Sequence, residues 1–217
     1  MRHRSLAVLG AAALLAAGSA ARANIVYSGV VNFAIPNTGT GLYVNMVDGS
    51  TYTGPNTFPT QPGPGGNYDF NFFGTTSWSV FVPGSSGQSA PTPVPVGSKG
   101  YLSSSASGPV SALNQGDPIG PAQLYNTGSP SAAGLVTGQP VLFGLRFRNE
   151  RDPANAGDDT VHFGWGRVIL TNGTPGTLVD YGWDDTPGTS IPAGTVPEPT
   201  TLSLLALAAL PMLRRKR

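Results

Sequence analysis

The sequence contains no cysteine, and only 11% of its 217 residues are charged. The absence of cysteine excludes disulfide bonds, zinc–thiolate sites, iron–sulfur clusters and thiol nucleophiles together. Histidine is almost as scarce, with two residues in the whole chain, which excludes a metal site built from several histidines. We therefore expect no metal site of these kinds and no cofactor.

The few charged residues are unevenly distributed along the chain. Basic residues are concentrated at the two ends, whereas residues 24–195 contain five basic and ten acidic residues. A surface that binds a polyanion needs an excess of positive charge, and this interval has an excess of negative charge. Nucleic acid is therefore excluded as a partner.

Glycine and proline, by contrast, are abundant, at 30 and 21 residues. The glycines have no three-residue period, which excludes a collagen-like structure. Hydrophobic residues make up 39% of the chain, enough for one modest core, and the length favours a single domain.

Residues 1–23 have the three parts of a secretory signal peptide. A basic start precedes an apolar run over residues 6–18, and Ala21 and Ala23 form a small-x-small cleavage site before Asn24. The apolar run is shorter than the about 20 residues that a transmembrane helix needs. We expect export through the secretion translocon and cleavage by signal peptidase, so that the mature protein begins at Asn24.

The end of the chain, residues 196–217, combines three features in a fixed order. Val196-Pro197-Glu198-Pro199 is expected to stay extended, because proline disfavours helix at and before its own position. The apolar segment over residues 202–213 follows. As a helix it would be about 18 Å long, shorter than the about 30 Å hydrocarbon core of a bilayer. It can therefore insert only with help from its flanks or by thinning the bilayer.

Four cations complete this end of the chain. They are Arg214, Arg215, Lys216 and Arg217. Cations next to an apolar segment resist translocation, so they are expected to hold this end in the cytoplasm and to leave the motif on the outer side.

Together, the motif, the short apolar helix and the basic end resemble the PEP-CTERM sorting signal of diderm bacteria. The resemblance implies that the tail is a substrate of exosortase, a membrane-embedded processing enzyme, and that Pro197, Glu198 and Pro199 are recognition residues rather than catalysts. It also implies transient anchoring in the inner membrane, followed by release to the cell envelope or the exopolysaccharide matrix. The alternative, an ordinary tail anchor with an incidental motif, is disfavoured because the apolar span is short.

Between the two ends, hydrophobic residues alternate with a period of two, which predicts β-strands. Strands are predicted over residues 25–33, 42–47, 67–73, 78–82, 141–148, 161–170 and 178–183. Tyr68, Phe70 and Phe72 share one strand face, and the polar side chains between them are expected to face outward. Arg146 and Arg148 are likewise expected to face outward.

These strands predict an all-β domain over residues 24–195, an antiparallel β-sandwich or jelly roll flanked by the signal helix and the apolar C-terminal helix. Asn172-Gly173 predicts a tight primed turn between the last two strands. Residues 55–66 and 83–140 are rich in Gly, Pro and Ser and are expected to form long loops. Within the second loop, short strands are expected near Tyr101 and Leu124.

The last two strands carry matching steps, Phe163-Gly164-Trp165 and Tyr181-Gly182-Trp183. They lie in a segment that is similar to exported bacterial proteins of the same sorted class, a similarity that implies no reaction. Glycine permits close approach of a neighbouring side chain, so the two steps are expected on adjacent strands.

No catalytic arrangement is evident in the sequence. His162 is the one histidine in residues 24–195, and there is no Gly-x-Ser-x-Gly motif to activate a serine. A lone histidine on a strand is usually a surface or hydrogen-bonded residue. The acidic pairs Asp158-Asp159 and Asp184-Asp185 could hold a hard cation such as Ca²⁺ through their oxygen atoms. They lack the spacing of a known calcium loop, so we favour the interpretation that they are solvated turn carboxylates.

Four aromatic residues leave two interpretations open. Trp78, Trp165, Tyr181 and Trp183 would suit stacking on sugar rings if they were exposed. Burial statistics favour the core for large aromatic side chains. The sequence therefore predicts a secreted, non-enzymatic surface or matrix protein. A carbohydrate-binding module that acts on exopolysaccharide is the alternative, and a glycan hydrolase is a remote one.

Overall fold

The computed structural model describes residues 24–54, 68–82, 99–149 and 160–197. Within these ranges the chain forms β-strands, one short 3-10 helix (Ala133–Leu135) and no α-helix. The predicted all-β class is confirmed. The predicted signal helix, the apolar C-terminal helix and the loop over residues 55–66 lie outside the described residues.

The strands form three sheets. In chain order they are β1 (Ile25–Tyr27), β2 (Phe33–Ile35), β3 (Leu42–Val44), β4 (Thr51–Tyr52), β5 (Phe70–Phe73), β6 (Ser79–Phe81), β7 (Gly100–Leu102), β8 (Pro118–Ile119), β9 (Tyr125–Asn126), β10 (Val141–Asn149), β11 (Thr160–Ile169), β12 (Gly176–Asp184) and β13 (Ile191–Pro192). The large sheet has the order β1-β12-β11-β10-β7-β9, with β2 also on β12. The small sheet has the order β4-β3-β5-β6, and β8 pairs with β13. The strands in all three sheets pair antiparallel.

The small sheet packs on one face of the large sheet. Phe143 on β10 lies between Phe70 and Phe72 on β5, with ring centroids 5.5 and 5.1 Å apart and edge-on geometry. Such edge-to-face pairs add to the stabilisation that comes from burying the rings. The two layers therefore share one core. The finer assignment to a sandwich or jelly-roll topology stays a prediction.

The pair formed by β8 and β13 covers the opposite face of the large sheet. Ile119 and Ile191 pack there against Leu142, Phe163 and Trp165 in a second core. Strands covered on both faces bury residues at consecutive positions instead of alternating ones, and β10 to β12 have this pattern.

Several polar side chains that are expected to face outward are buried or half-buried, and for those on β10 the reason is that both faces of the large sheet are covered. Arg148 is 5% exposed and Arg146 is half-buried. On β5 and just before it, Asn71 and Asp69 are 4% and 2% exposed, although the alternation predicts a solvent-facing row. Asn71 Nδ2 donates a hydrogen bond to the Thr40 carbonyl at 3.0 Å, so its burial is compensated by a polar contact.

The strand predicted over residues 25–33 is two strands instead. Gly29 and Asn32 have φ values of 71° and 48°, in the left-handed region that a continuous strand does not contain. The break lets β1 and β2 pair with different halves of β12, through Tyr27 opposite Gly182 and Phe33 opposite Leu178.

The predicted hairpin between β11 and β12 is confirmed, but its turn is not a tight primed one. Gly173 has a φ of 73°, whereas Asn172 has no positive φ. The ladder ends where Ile169 faces Thr177, so the loop is longer than two residues. Pro175 lies in this loop and cannot donate a ladder hydrogen bond.

The interval 83–140 is less irregular than expected where the structure describes it, from residue 99 onward. Tyr101 lies on β7, and β9 begins at Tyr125, directly after Leu124, so both expected short strands are confirmed. The strand β8 and the 3-10 helix were not expected. They are too short to produce a recognisable period in the sequence.

Candidate functional site

The four aromatic residues considered for sugar stacking are core residues. Trp78, Trp165, Tyr181 and Trp183 are exposed by 2%, 0%, 5% and 4%. A stacking platform needs a ring face open to solvent, so that interpretation is wrong for these side chains. The physical reason is again the coverage of both faces of the large sheet, since Trp165 and Trp183 point to opposite faces and both faces are packed.

The matched glycine steps explain how two indoles fit on adjacent strands. Trp165 lies opposite Gly182, and Trp183 lies opposite Gly164. A Cβ atom added at Gly182 would lie 3.0 Å from the Trp165 ring, and one added at Gly164 would lie 3.0 Å from the Trp183 Cβ. The expectation that the two steps face each other across neighbouring strands is confirmed.

Trp165 is the centre of a cluster that reaches the end of the folded domain. Its indole Nε1 donates a hydrogen bond to the Thr195 carbonyl at 3.2 Å. The Tyr27 ring lies 6.0 Å away between centroids, and the Arg167 guanidinium lies 5.7 Å from the indole. One buried side chain on β11 therefore touches both the first strand and the last residue before the predicted tail.

A buried carboxylate holds this cluster together. Asp180 Oδ2 accepts a hydrogen bond from the Tyr27 hydroxyl at 3.0 Å, and Asp180 Oδ1 lies 3.2 Å from Arg167 Nε. Burial raises the pKa of Tyr27, and the hydrogen bond and negative charge of Asp180 raise it further. The phenol therefore stays protonated and keeps donating to Asp180 at neutral pH.

The segment that precedes the predicted tail is docked by its backbone. Ala193 N donates to the Asp117 carbonyl at 2.8 Å, and the Ala193 carbonyl accepts from Gly116 N at 2.9 Å. Gln115 Nε2 donates to the Gly194 carbonyl at 2.9 Å. These contacts continue the pairing of β13 with β8 up to the Thr195 carbonyl that Trp165 holds.

Exposure rises from the buried Gly194 through the partly exposed Thr195 to the motif. Val196, the first residue of the predicted sorting motif, is 42% exposed, and Pro197 is exposed as well. Glu198 and Pro199 lie outside the described residues, as do the apolar segment over 202–213 and the four terminal cations. The docked part of the domain thus ends at the residue before the motif.

The predicted mature N-terminus is also part of the fold. The Asn24 carbonyl accepts a hydrogen bond from Asp185 N at 3.1 Å, and Asn24 Nδ2 donates to the Asp185 carboxylate. Ala21 and Ala23 lie outside the described ranges. Through Tyr27 and Thr195, the first strand and the last docked residue meet around Trp165, so both ends of the domain lie close together.

His162 is enclosed and hydrogen-bonded, as expected for a lone histidine on a strand. It is 1% exposed, and its ring nitrogens lie 2.7 Å from Thr160 Oγ1 and 2.7 Å from the Asp184 carbonyl. The Trp183 ring packs edge-on against it at 5.0 Å. No substrate atom can reach this imidazole without opening the core.

The acidic pairs do not converge where the structure describes them. Asp184 ends β12, is fully buried and accepts a hydrogen bond from Thr186 N at 2.8 Å, so its interpretation as a solvated turn carboxylate is wrong. Asp185 contacts Asn24. Asp158-Asp159 lies outside the described residues. Among residues 24–54, 68–82, 99–149 and 160–197, no three His, Asp or Glu side chains are grouped to hold a metal ion.

One buried ion pair was not predicted from the sequence. Lys99 Nζ lies 3.5 Å from Asp69 Oδ1, with the side chains 5% and 2% exposed. The one available signal was that Lys99 is the single lysine of residues 24–195 in a segment with little other charge. Nothing in the pattern indicates that Asp69 faces it.

Comparison of the chain with protein-family models, with curated proteins and with solved structures finds no match. In the part of the chain that the structure describes, no helix has the length and hydrophobicity to cross a membrane.

Proposed function

We propose that this chain is an exported, non-enzymatic protein of the cell surface or extracellular matrix, sorted by its C-terminal tail. The tail is a substrate of an exosortase-type enzyme that recognises Val196-Pro197-Glu198-Pro199. The apolar helix and the cations Arg214, Arg215, Lys216 and Arg217 hold the chain in the inner membrane until processing. The all-β domain, in our proposal a β-sandwich, is the part of the chain that reaches the cell surface or the matrix.

The boundary at Thr195 is the observation that carries this proposal. A processing enzyme needs its substrate as an extended, accessible segment. Thr195 is held by Trp165 and by its own hydrogen bonds to the Pro192 carbonyl, whereas Val196 and Pro197 are exposed. Among the residues that the structure describes, the docked chain therefore ends directly before the motif.

The boundary also limits how far the domain stands from the membrane. An extended chain spans at most about 3.6 Å per residue, so the segment from Thr195 to Leu202 reaches on the order of 25 Å. While the apolar segment is inserted, the domain remains next to the bilayer surface, where a membrane-embedded enzyme would act on the motif.

The non-enzymatic role is supported by the residues that could have carried chemistry. His162 is enclosed by Trp183 and Phe147 and bonded at both ring nitrogens. The carbohydrate-binding alternative was based on four aromatic side chains that lie in the core. No observation on the described surface favours it, so it is not proposed as a second function.

To test the proposal, the full chain is expressed in a diderm bacterium with an active exosortase and in a strain that lacks this enzyme. The wild-type protein should start at Asn24 and lack the residues beyond the motif region in the mass spectrum of surface material. Glu198→Ala should retain the tail and stay in the inner membrane. Ser203→Ala, which leaves the motif and the hydrophobicity of the tail in place, serves as the control. A surface-located protein that still ends at Arg217 would refute the proposal.

A further inference from the structure

Asp69 and Lys99 meet at the junction of the two main sheets. Asp69 precedes β5 of the small sheet, and Lys99 precedes β7 of the large sheet. Their side chains are 2% and 5% exposed, and Lys99 Nζ lies 3.5 Å from Asp69 Oδ1. The pair therefore links the two layers of the fold from inside.

Each side chain is positioned by a second contact to the backbone. Lys99 Nζ also lies 3.3 Å from the Tyr68 carbonyl, to which it donates a hydrogen bond. Asp69 Oδ2 accepts a hydrogen bond from Met46 N at 2.8 Å. The amine is thus directed at one carboxyl oxygen, and a backbone N–H is directed at the other.

The 3.5 Å separation of Lys99 Nζ and Asp69 Oδ1 allows one proton to pass directly between the two groups. Transfer of that proton from the ammonium group to the carboxylate gives an amine and a carboxylic acid. These two forms are the reactants of amide formation.

We propose that Lys99 and Asp69 join in an intramolecular isopeptide bond. The Nζ lone pair attacks Asp69 Cγ, and Oδ2 takes up the negative charge, where the Met46 N–H stabilises it as an oxyanion-hole donor does. The bond from Cγ to Oδ1 then breaks, and Oδ1 leaves as water. Both protons of that water come from the original ammonium group, and the product nitrogen keeps one. The reaction needs no oxidant and no other reactant.

The bond would give this cysteine-free chain a covalent link between its sheets. It closes a loop from residue 69 to residue 99 and so restricts the unfolded chain in the way that a disulfide does. In an exported protein the amide has a further advantage, because reducing agents do not break it.

Intact mass and peptide mapping of the secreted full-length gene product test the proposal. With both termini identified in the same sample, the protein should be lighter than its sequence by one water molecule. Proteolysis should release a branched peptide that contains both residues.

Two variants provide matched controls. Lys99→Arg keeps the cation and Asp69→Ala removes the carboxyl group, and both proteins should have the full mass expected from their sequences. A wild-type protein of full mass with separate Asp69 and Lys99 peptides would overturn the proposal, as would a water loss that persists in the Lys99→Arg protein. The wild-type measurement decides the matter even if a variant fails to fold. The outcome does not depend on whether the tail is processed.

Discussion

Replacing Trp165 with Phe should loosen the boundary between the domain and its tail. Trp165 is fully buried and is the side chain that holds the Thr195 carbonyl. Phenylalanine keeps an aromatic ring at this position but has no N–H to donate. The smaller ring also leaves a gap beside Tyr27, which packs against the indole.

The expected loss of stability follows from these two effects. Loss of the hydrogen bond, which leaves the Thr195 carbonyl without its indole donor, costs about 1 kcal/mol or more. The gap left by the smaller ring adds about 1–2 kcal/mol. The free energy of unfolding should therefore fall by about 2–3 kcal/mol in total.

Trp78→Phe is the matched control for the global effect. Trp78 is 2% exposed and donates its indole N–H to the Thr171 carbonyl at 2.9 Å, so the substitution removes the same kind of contact in the other core. Urea denaturation measures the global loss in both variants. Amide hydrogen exchange at Ala193 and Thr195 measures the local opening.

The two variants should differ in the hydrogen exchange of these amides rather than in the global free energy of unfolding. The amides of Ala193 and Thr195 donate to the carbonyls of Asp117 and Pro192, at 2.8 and 3.2 Å. In Trp165→Phe they should exchange faster than global unfolding explains, whereas in Trp78→Phe they should follow global unfolding. Equal protection of these amides in the two variants, once corrected for stability, would refute the role of Trp165 as the tether of the boundary.

Two further predictions concern packing and pH. Gly166→Ala should destabilise the domain by about 1–3 kcal/mol in urea denaturation, because its Cβ would lie 2.5 Å from the Phe143 ring, and overpacking of a core typically costs this much. Gly39→Ala, with no atom within 4 Å of the added Cβ, should be nearly neutral, and equal effects would contradict the packing. Burial raises the pKa of Tyr68 and Tyr125 above the ordinary value of 10.0, so the folded state holds these protons more tightly than the unfolded state. This contribution to stability is present below about pH 10 and is lost above it, so both phenols should ionise only as the domain unfolds. Tyrosinate absorbance follows the ionisation, and complete ionisation of a still folded domain would contradict the prediction.

Several features of the fold can be predicted from local patterns in the sequence. The alternation in residues 67–73 predicts β5, and the matched steps that contain Gly164 and Gly182 predict adjacent strands. Alternating hydrophobic residues indicate which side chains of a strand face the core. A glycine on a strand indicates a position where a side chain or backbone of the neighbouring strand approaches closely. Both signals are local, which is why they can be detected without coordinates.

The burial of polar residues could not be predicted in the same way. Arg148 and Asp69 occupy positions that alternation assigns to solvent, and both are nearly enclosed. Their environment depends on segments that are distant in sequence. The strands β8 and β13, which are too short to be recognised from a period of two, cover the face of the large sheet opposite the small sheet. Asp69 is enclosed where it meets Lys99, the residue before β7.

By itself, the sequence determined the all-β class and the absence of thiol chemistry, and it predicts sorting signals at the two ends. Composition, period and terminal signals all lie in contiguous residues. Tertiary structure alone decided that Trp165 and Trp183 are core residues, that Lys99 meets Asp69, and that the docked chain ends at Thr195. Each of these depends on atoms brought together from separate strands. Contacts of this kind arise from the packing of whole layers, and no contiguous stretch of sequence contains them.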